Sequence, residues 1–182
     1  MQELIFYARG GQGAVTAAKI MVNAALLDGQ YAQSVPSFGQ ERKGAPVYTY
    51  ARLSHEPIFI HSYVYQPDCV VAFDLSLLDL GVNIHAGAKS GGILVANAAS
   101  LPDGIGQYGK VGYVDAWAVT HEFIGQVPPN AAMLGAIAKT TGWFRLEALV
   151  EALTQAMPGS KGQRNIACAK AAYERTEIYG LQ

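Results

Sequence analysis

Gly11-Gln12-Gly13-Ala14-Val15-Thr16 follows a short apolar run, Leu4 to Ala8, and opens a stretch of helix formers that ends at Asp28-Gly29. Glycines let the backbone turn sharply between a strand and a helix. The N–H groups at a helix start lack intrahelical partners and sit at the positive end of the helix dipole, so such a turn attracts anions, phosphates above all. The dinucleotide fingerprint G-x-G-x-x-G is met at two glycines only, with Thr16 in the third place. No acidic residue closes the next apolar run at Gln33-Ser34-Val35, where a ribose-binding carboxylate belongs. A phosphate site is expected and a nicotinamide cofactor is disfavoured. The competing reading is that the glycines serve only a tight turn and close helix packing.

A second concentration of chemistry lies between Pro36 and Gly44, where Ser37, Gln40, Glu41, Arg42 and Lys43 fall together. Two adjacent cations beside a carboxylate suit a phosphate or an interchain ion pair, although a solvated loop would have the same composition. In an open α/β sheet the turns leaving parallel strands gather at the carboxyl edge, which would bring this loop to face Gly11 to Thr16. Pro128-Pro129-Asn130 reads as a helix start, followed by the small residues Ala131, Ala132 and Gly135 that would let another backbone approach closely. Asn130 is either a cap or a ligand contact.

Other signals fail on their spacing. Gly104 to Gly109 with Lys110 has the P-loop spacing, but Val111 replaces the magnesium-binding hydroxyl and a strand, not a helix, is expected next. His121-Glu122 begins a zinc-protease motif that Gly125 breaks, and no G-x-S-x-G elbow occurs. Cys69 and Cys168 are the only two cysteines, too few for a zinc site or an iron–sulfur cluster, and Cys69 opens an apolar strand as an inert core thiol.

The elements that must position these residues alternate. Strands are expected at Leu4–Ala8, Tyr31–Val35, Val47–Ser54, Ile58–Ile60, Cys69–Phe73, Ile93–Ala96 and Val111–Asp115. Helices are expected at Ala14–Leu27, Asp74–Leu80, around Trp117–Ile124, from Asn130, at Leu146–Met157 and from about Gly162 to Ile178. This alternation predicts a single-domain α/β fold, an open, mostly parallel sheet flanked by helices and Rossmann-like.

With 182 residues the chain suits one domain, and 51% hydrophobic against 15% charged residues excludes disorder. So few charges leave little to coat the surface, so partner chains are expected to cover part of it. A net charge of −1 provides no field for nucleic acid, and no run reaches the length of a membrane span. Glu3 and the early stop of the first apolar run at Arg9 do not fit a secretory leader, so a cytoplasmic location is expected.

Taken together, Arg9 to Gly13 with Thr16, Pro36 to Gly39 with Glu41 to Gly44, Arg52-Leu53-Ser54, and Pro129-Asn130 with Met133-Leu134-Gly135 resemble the gamma subunits of the 2-oxoacid:ferredoxin (or other acceptor) oxidoreductases. The resemblance runs from Leu4 to Asn165 and rests on the order and spacing of the four segments. It implies one subunit of an enzyme that oxidatively decarboxylates a 2-oxoacid to an acyl-coenzyme A. Thiamine diphosphate, magnesium and four-iron four-sulfur clusters would lie in the partners: alpha, beta and ferredoxin-like delta-type subunits, with ferredoxin or another acceptor taking the electrons. Coenzyme A would be held at this subunit by Gly11, Gln12, Gly13, Thr16, Ser37, Arg42, Lys43 and Asn130, with no catalytic acid, base or nucleophile here. A structural assembly subunit without a ligand and a stand-alone nucleotide-binding Rossmann protein are the alternatives.

Overall fold

The structure is a computed structural model and describes residues 1–37 and 44–180. Seven strands form one sheet in the order β2-β3-β1-β4-β5-β6-β7. They are β1 (Gln2–Arg9), β2 (Tyr31–Ser37), β3 (Pro46–Ser54), β4 (Cys69–Ala72), β5 (Gly92–Asn97), β6 (Tyr108–Val114) and β7 (Glu177–Gly180). The centre, β1-β4-β5-β6, is parallel throughout. β3 runs antiparallel to β1 and β2 antiparallel to β3, so β2 points the same way as β1; β7 runs antiparallel to β6.

Among the described residues five α-helices accompany the sheet: α1 (Ala14–Leu27), α2 (Ala116–Phe123), α3 (Asn130–Thr141), α4 (Leu146–Ala156) and α5 (Ser160–Arg175). All five contribute to the larger core, which they form with Leu4, Phe6 and Ala8 of β1 and Val71 and Val95 of the neighbouring strands. Because side chains alternate along a strand, Ile5, Tyr7, Val70, Ala72, Leu94 and Ala96 face the other way into a smaller core. That face carries no α-helix; a 3₁₀ turn at Leu75–Leu80 and irregular chain cover it through Val64, Leu77 and Ile84. The flanking helices of the sequence reading therefore lie on one side of the sheet.

Close packing explains the composition of the helical layer. α1 buries Ala14, Ala17, Ala18, Met21, Ala24 and Ala25, as expected for a helix covered on more than one side. Its far end is tied to α4, where Arg145 donates through its backbone N–H to Asp28 Oδ2 at 2.7 Å. In α3, Gly135 lies against α5 so closely that a Cβ there would stand 2.1 Å from the Ala169 carbonyl oxygen. The small residues read from Ala131 to Gly135 do admit another backbone, and it is that of α5.

Two expectations are corrected. Ile58-Phe59-Ile60 is not a strand: it follows Pro57, pairs with no neighbour, and leaves Phe59 84% exposed. The last helix stops at Arg175, not Ile178, because Thr176 turns the chain so that Glu177–Gly180 pairs with the outer edge of β6. A β-branched and aromatic tail, Ile178-Tyr179, favours that strand, and the pairing covers an otherwise open edge.

Candidate functional site

The end of β1 and the start of α1 form a glycine turn in which Gly11 and Gly13 take positive φ angles of 95° and 81°. Gly13 is the N-cap of α1, and no side chain caps the helix. The Ala17 N–H donates to the Gly13 carbonyl at 2.9 Å as the first helical bond. The amides of Ala14, Val15 and Thr16 thus precede the ladder and point out of the helix end.

A second helix starts against the first. α3 begins at Asn130, with Pro129 as its N-cap, and the Met133 N–H donates to the Pro129 carbonyl at 2.9 Å. A Cβ on Gly13 would stand 3.3 Å from Asn130 Cβ, Asn130 Nδ2 and Pro128 Cβ. A side chain at Gly13 would push Asn130 and Pro128 back by a few tenths of an ångström and loosen the approach of the two helix starts. The second helix start reaches the cleft through Pro128 and Asn130.

That cleft has a volume of about 580 Å³ and is lined by Arg9, Gly10, Gly11, Gly13, Val15, Thr16, Val47, Pro128 and Asn130, among others. This is the size range of small-molecule sites. Ala45, just before β3, lies beside it: the Gly10 N–H donates to the Ala45 carbonyl at 2.8 Å. The loop after β2 was expected to face the glycine turn as the exit of a neighbouring parallel strand. Residues 38–43 of that loop lie outside the described residues; the strands that flank it, β2 and β3, pair antiparallel, with β3 lying between β2 and β1.

Asp74, immediately beyond β4, braces the turn from below. Its Oδ2 accepts from Gln12 Nε2 at 2.7 Å and from Arg9 Nε at 3.1 Å, and its Oδ1 accepts from the Ser76 N–H at 3.0 Å. Gln12 completes the brace by accepting the Arg9 N–H on Oε1 at 2.7 Å. Burial alone would raise the Asp74 carboxyl, but hydrogen bonds from the Ser76 hydroxyl, Gln12 and the Ser76 amide, with the Arg9 charge, together hold it below the usual range. Arg9 lines the cleft, yet its guanidinium also reaches Ser76 Oγ at 2.6 Å, so its charge is committed to the brace.

The structure brings four of the expected residues, Gly11, Gly13, Thr16 and Asn130, to this cleft. Gln12 belongs to the same turn, but its side chain is engaged with Asp74 and the Arg9 backbone. Ser37 ends β2 opposite Tyr48 and is not among the described residues lining the cleft. Arg42 and Lys43 lie outside the described residues. Asn130 Oδ1 accepts from the Ala131 N–H at 2.9 Å, leaving its amide nitrogen on the Gly13 side. Sequence reasoning passed over Asp74 and its role toward Arg9; the available signal was a carboxylate just past a buried strand, at the edge where α/β sheets place their ligands.

Elsewhere, burial raises the Cys69 and Cys168 thiols, making poor nucleophiles of both. Among the described residues no three His, Cys, Asp or Glu side chains gather where they could hold a metal ion. No described helix is long and apolar enough to cross a membrane.

Residues 3–175 match the family model described as pyruvate ferredoxin/flavodoxin oxidoreductase. The chain is 42% identical over 186 aligned positions to the Pyrococcus furiosus protein named pyruvate/ketoisovalerate oxidoreductases common subunit gamma, with 100% of both chains covered. Its fold resembles the crystal structure of pyruvate oxidoreductase subunit PORC from Thermotoga maritima, with a TM-score of 0.83, 30% identity and 97% of each chain covered. A more distant fold likeness, TM-score 0.74 at 18% identity, spans 31% of a chain of the Magnetococcus marinus 2-oxoglutarate:ferredoxin oxidoreductase. A glycine turn braced at the carboxyl edge of a sheet, on a chain matched end to end by such relatives, belongs to the pyruvate ferredoxin/flavodoxin oxidoreductase family as one of its gamma-type subunits.

Proposed function

We propose that this chain seats coenzyme A in a 2-oxoacid:acceptor oxidoreductase and closes the thiamine diphosphate site of its partner subunits. The observation that carries the reading is the meeting of two helix N-termini at Gly13 and Asn130 over a cleft of small-molecule size. The amides of Ala14 to Thr16, the Thr16 hydroxyl and Asn130 Nδ2 are donors suited to a diphosphate, and no acidic side chain is among the described residues lining the cleft. The cradle around Gly13 fits the backbone-close approach such a group needs, since any side chain there would fill it. The family resemblance assigns the cations of this site to Arg42 and Lys43, close in sequence to Ala45, whose carbonyl accepts from the Gly10 N–H.

Coenzyme A contributes the thiol that accepts the acyl group. This chain's residues bind and orient it: none of the cleft's side chains has a proton-transfer role, so the contribution is positioning. The name of the Pyrococcus furiosus relative favours this division of labour. A subunit common to pyruvate and ketoisovalerate oxidoreductases is suited to the co-substrate both reactions would share, not to the acid that differs. Thiamine, magnesium and the iron–sulfur clusters then fall to alpha, beta and delta-type partners, and ferredoxin or another acceptor takes the electrons.

The test is steady-state kinetics of the assembled oxidoreductase carrying Asn130→Leu or the double change Arg42→Ala/Lys43→Ala. Hydrogen bonds to charged groups are worth roughly 1.5–3 kcal/mol, so the KM for coenzyme A should rise about tenfold or more while that for the 2-oxoacid holds. Unchanged coenzyme A kinetics in an intact complex would overturn the reading and leave the chain as an assembly subunit.

A further inference from the structure

A second cleft adjoins the first. Its volume is about 590 Å³, and its walls are Asp115, Trp117, Ala118 and His121 of the α2 region facing the Gly125-to-Pro128 turn. Pro128 lines both clefts, so the two adjoin at that residue. Trp117 and His121 are four residues apart and share a helix face. The Trp117 side chain is 44% exposed, in a wall that is otherwise mostly apolar. A large aromatic surface left open beside an anion-binding turn suits a planar heterocycle joined to a phosphate.

Resting on the function proposed above, we infer that this cleft receives the adenine ring of coenzyme A, stacked on Trp117. The direction follows from the chemistry. The thiol end must leave this chain to reach an acyl group held by other subunits, so the pantetheine arm points away from the fold. The end that stays is the nucleotide. With the diphosphate over the glycine turn, the cleft that adjoins it at Pro128 offers the adenosine an aromatic wall at Trp117. Asp115 lines the same cleft and, as a carboxylate, only accepts. Its Oδ1 accepts the Ala118 N–H at 2.9 Å, and a carboxylate retains further acceptor sites for an exocyclic amino group.

The chain has two tryptophans, Trp117 and Trp143, so Trp143→Phe leaves Trp117 as the sole indole reporter. The experiment titrates this full-length variant with coenzyme A, ADP and pantetheine while following indole emission. Calorimetry on Trp117→Ala and Trp117→Phe in the native background serves as a second measurement that does not depend on the Trp143 change. Coenzyme A and ADP should change Trp117 emission and pantetheine should not. Trp117→Ala should weaken coenzyme A about tenfold, the scale of one base–aromatic stack, and Trp117→Phe should restore most of it. Coenzyme A binding with silent Trp117 emission and undiminished affinity in Trp117→Ala would overturn this inference while sparing the coenzyme A reading. So would a response to pantetheine alone, or a Trp117 already shielded from a soluble quencher in the assembled complex without coenzyme A. Absence of coenzyme A binding to both chain and complex would overturn the proposed function itself.

Discussion

Gln12 and Asp74, 62 positions apart in the chain, are joined by a 2.7 Å hydrogen bond from Gln12 Nε2 to Asp74 Oδ2. The bond fastens the glycine turn after β1 to the exit of β4, its parallel neighbour. A turn that must present backbone amides to a phosphate gains by being held before the ligand arrives, and Asp74 holds both Gln12 and Arg9.

The first prediction concerns acid. Asp74 has its folded carboxyl lowered, so its contribution to stability is present above the unfolded value of about 3.9 and is lost as pH falls through the folded value. Asp74→Asn keeps the shape without the charge. Its melting temperature should lie below that of the wild type near pH ~6, and the gap should shrink toward pH ~3. Thermal melts across that range decide it; a gap constant with pH would mean that the Asp74 charge stabilises nothing.

The two glycines of the turn separate conformational cost from crowding. Gly11→Ala and Gly13→Ala both place a side chain at positive φ, which costs about 1–2 kcal/mol in the left-handed region. A Cβ at Gly11 meets nothing within 4 Å, whereas one at Gly13 presses on Asn130 and Pro128 at 3.3 Å. Gly13→Ala should therefore melt lower than Gly11→Ala, and coenzyme A binding should suffer most in Gly13→Ala. Equal losses in both would show that the two helix starts part easily.

How much of this was open to sequence reading differs between the parts. α1 was legible to the residue because Gly13 marks its start and Asp28-Gly29 its end, and both signals are local. That Asn130 would join Gly11, Gly13 and Thr16 came only with the family resemblance, since nothing local in Pro128-Pro129-Asn130 separates a cap from a ligand contact. Asp74 was not legible as a brace, since its partners come from a turn brought near only by the β1–β4 pairing. Nor was the one-sided helical layer: apolar strands such as Cys69–Ala72 are buried on both faces whether helices or irregular chain cover them. The Glu177–Gly180 strand was masked by the helical pattern running into it, and only the open edge of β6 explains its pairing.

The packing of α3 on α5 gives a prediction of opposite sign to helix propensity. Gly→Ala inside a helix usually gains up to about 1 kcal/mol. At Gly135 the new Cβ would stand 2.1 Å from the Ala169 carbonyl and 3.0 Å from the Tyr173 nitrogen, both backbone atoms that cannot swing aside. Overpacking of this kind costs about 1–3 kcal/mol or more, so Gly135→Ala should lower the melting temperature by several degrees. Gly106→Ala, where nothing lies within 4 Å, is the control and should be near neutral. A Gly135→Ala protein as stable as the control would mean that α3 and α5 can slide apart at little cost.

The last prediction concerns Arg52, which is only 2% exposed although it carries a charge. Its Nε donates to Glu3 Oε1 at 2.8 Å, and its other nitrogens donate to the carbonyls of Ser62 at 2.8 Å and Tyr63 at 3.3 Å. Gln33 donates to the Ile60 carbonyl, and the Tyr63 ring stacks on Tyr50 with centroids 4.8 Å apart. The irregular stretch around Phe59 is thus fixed to the sheet by its backbone while Phe59 itself faces solvent. Arg52→Met keeps the apolar stem but leaves Glu3 and two carbonyls without their donor. Breaking a buried pair in this way costs about 3–5 kcal/mol, and the lower end applies because Glu3 retains some solvent contact. The melting temperature should fall by about 6–12 °C, at about 2–4 °C per kcal/mol for a chain of this size. Chymotrypsin should at the same time cut at Phe59 and Tyr63 faster than at sites elsewhere in the variant. If the melting temperature drops and cleavage at those two residues keeps its wild-type share, Arg52 stabilises the sheet alone and does not hold the segment.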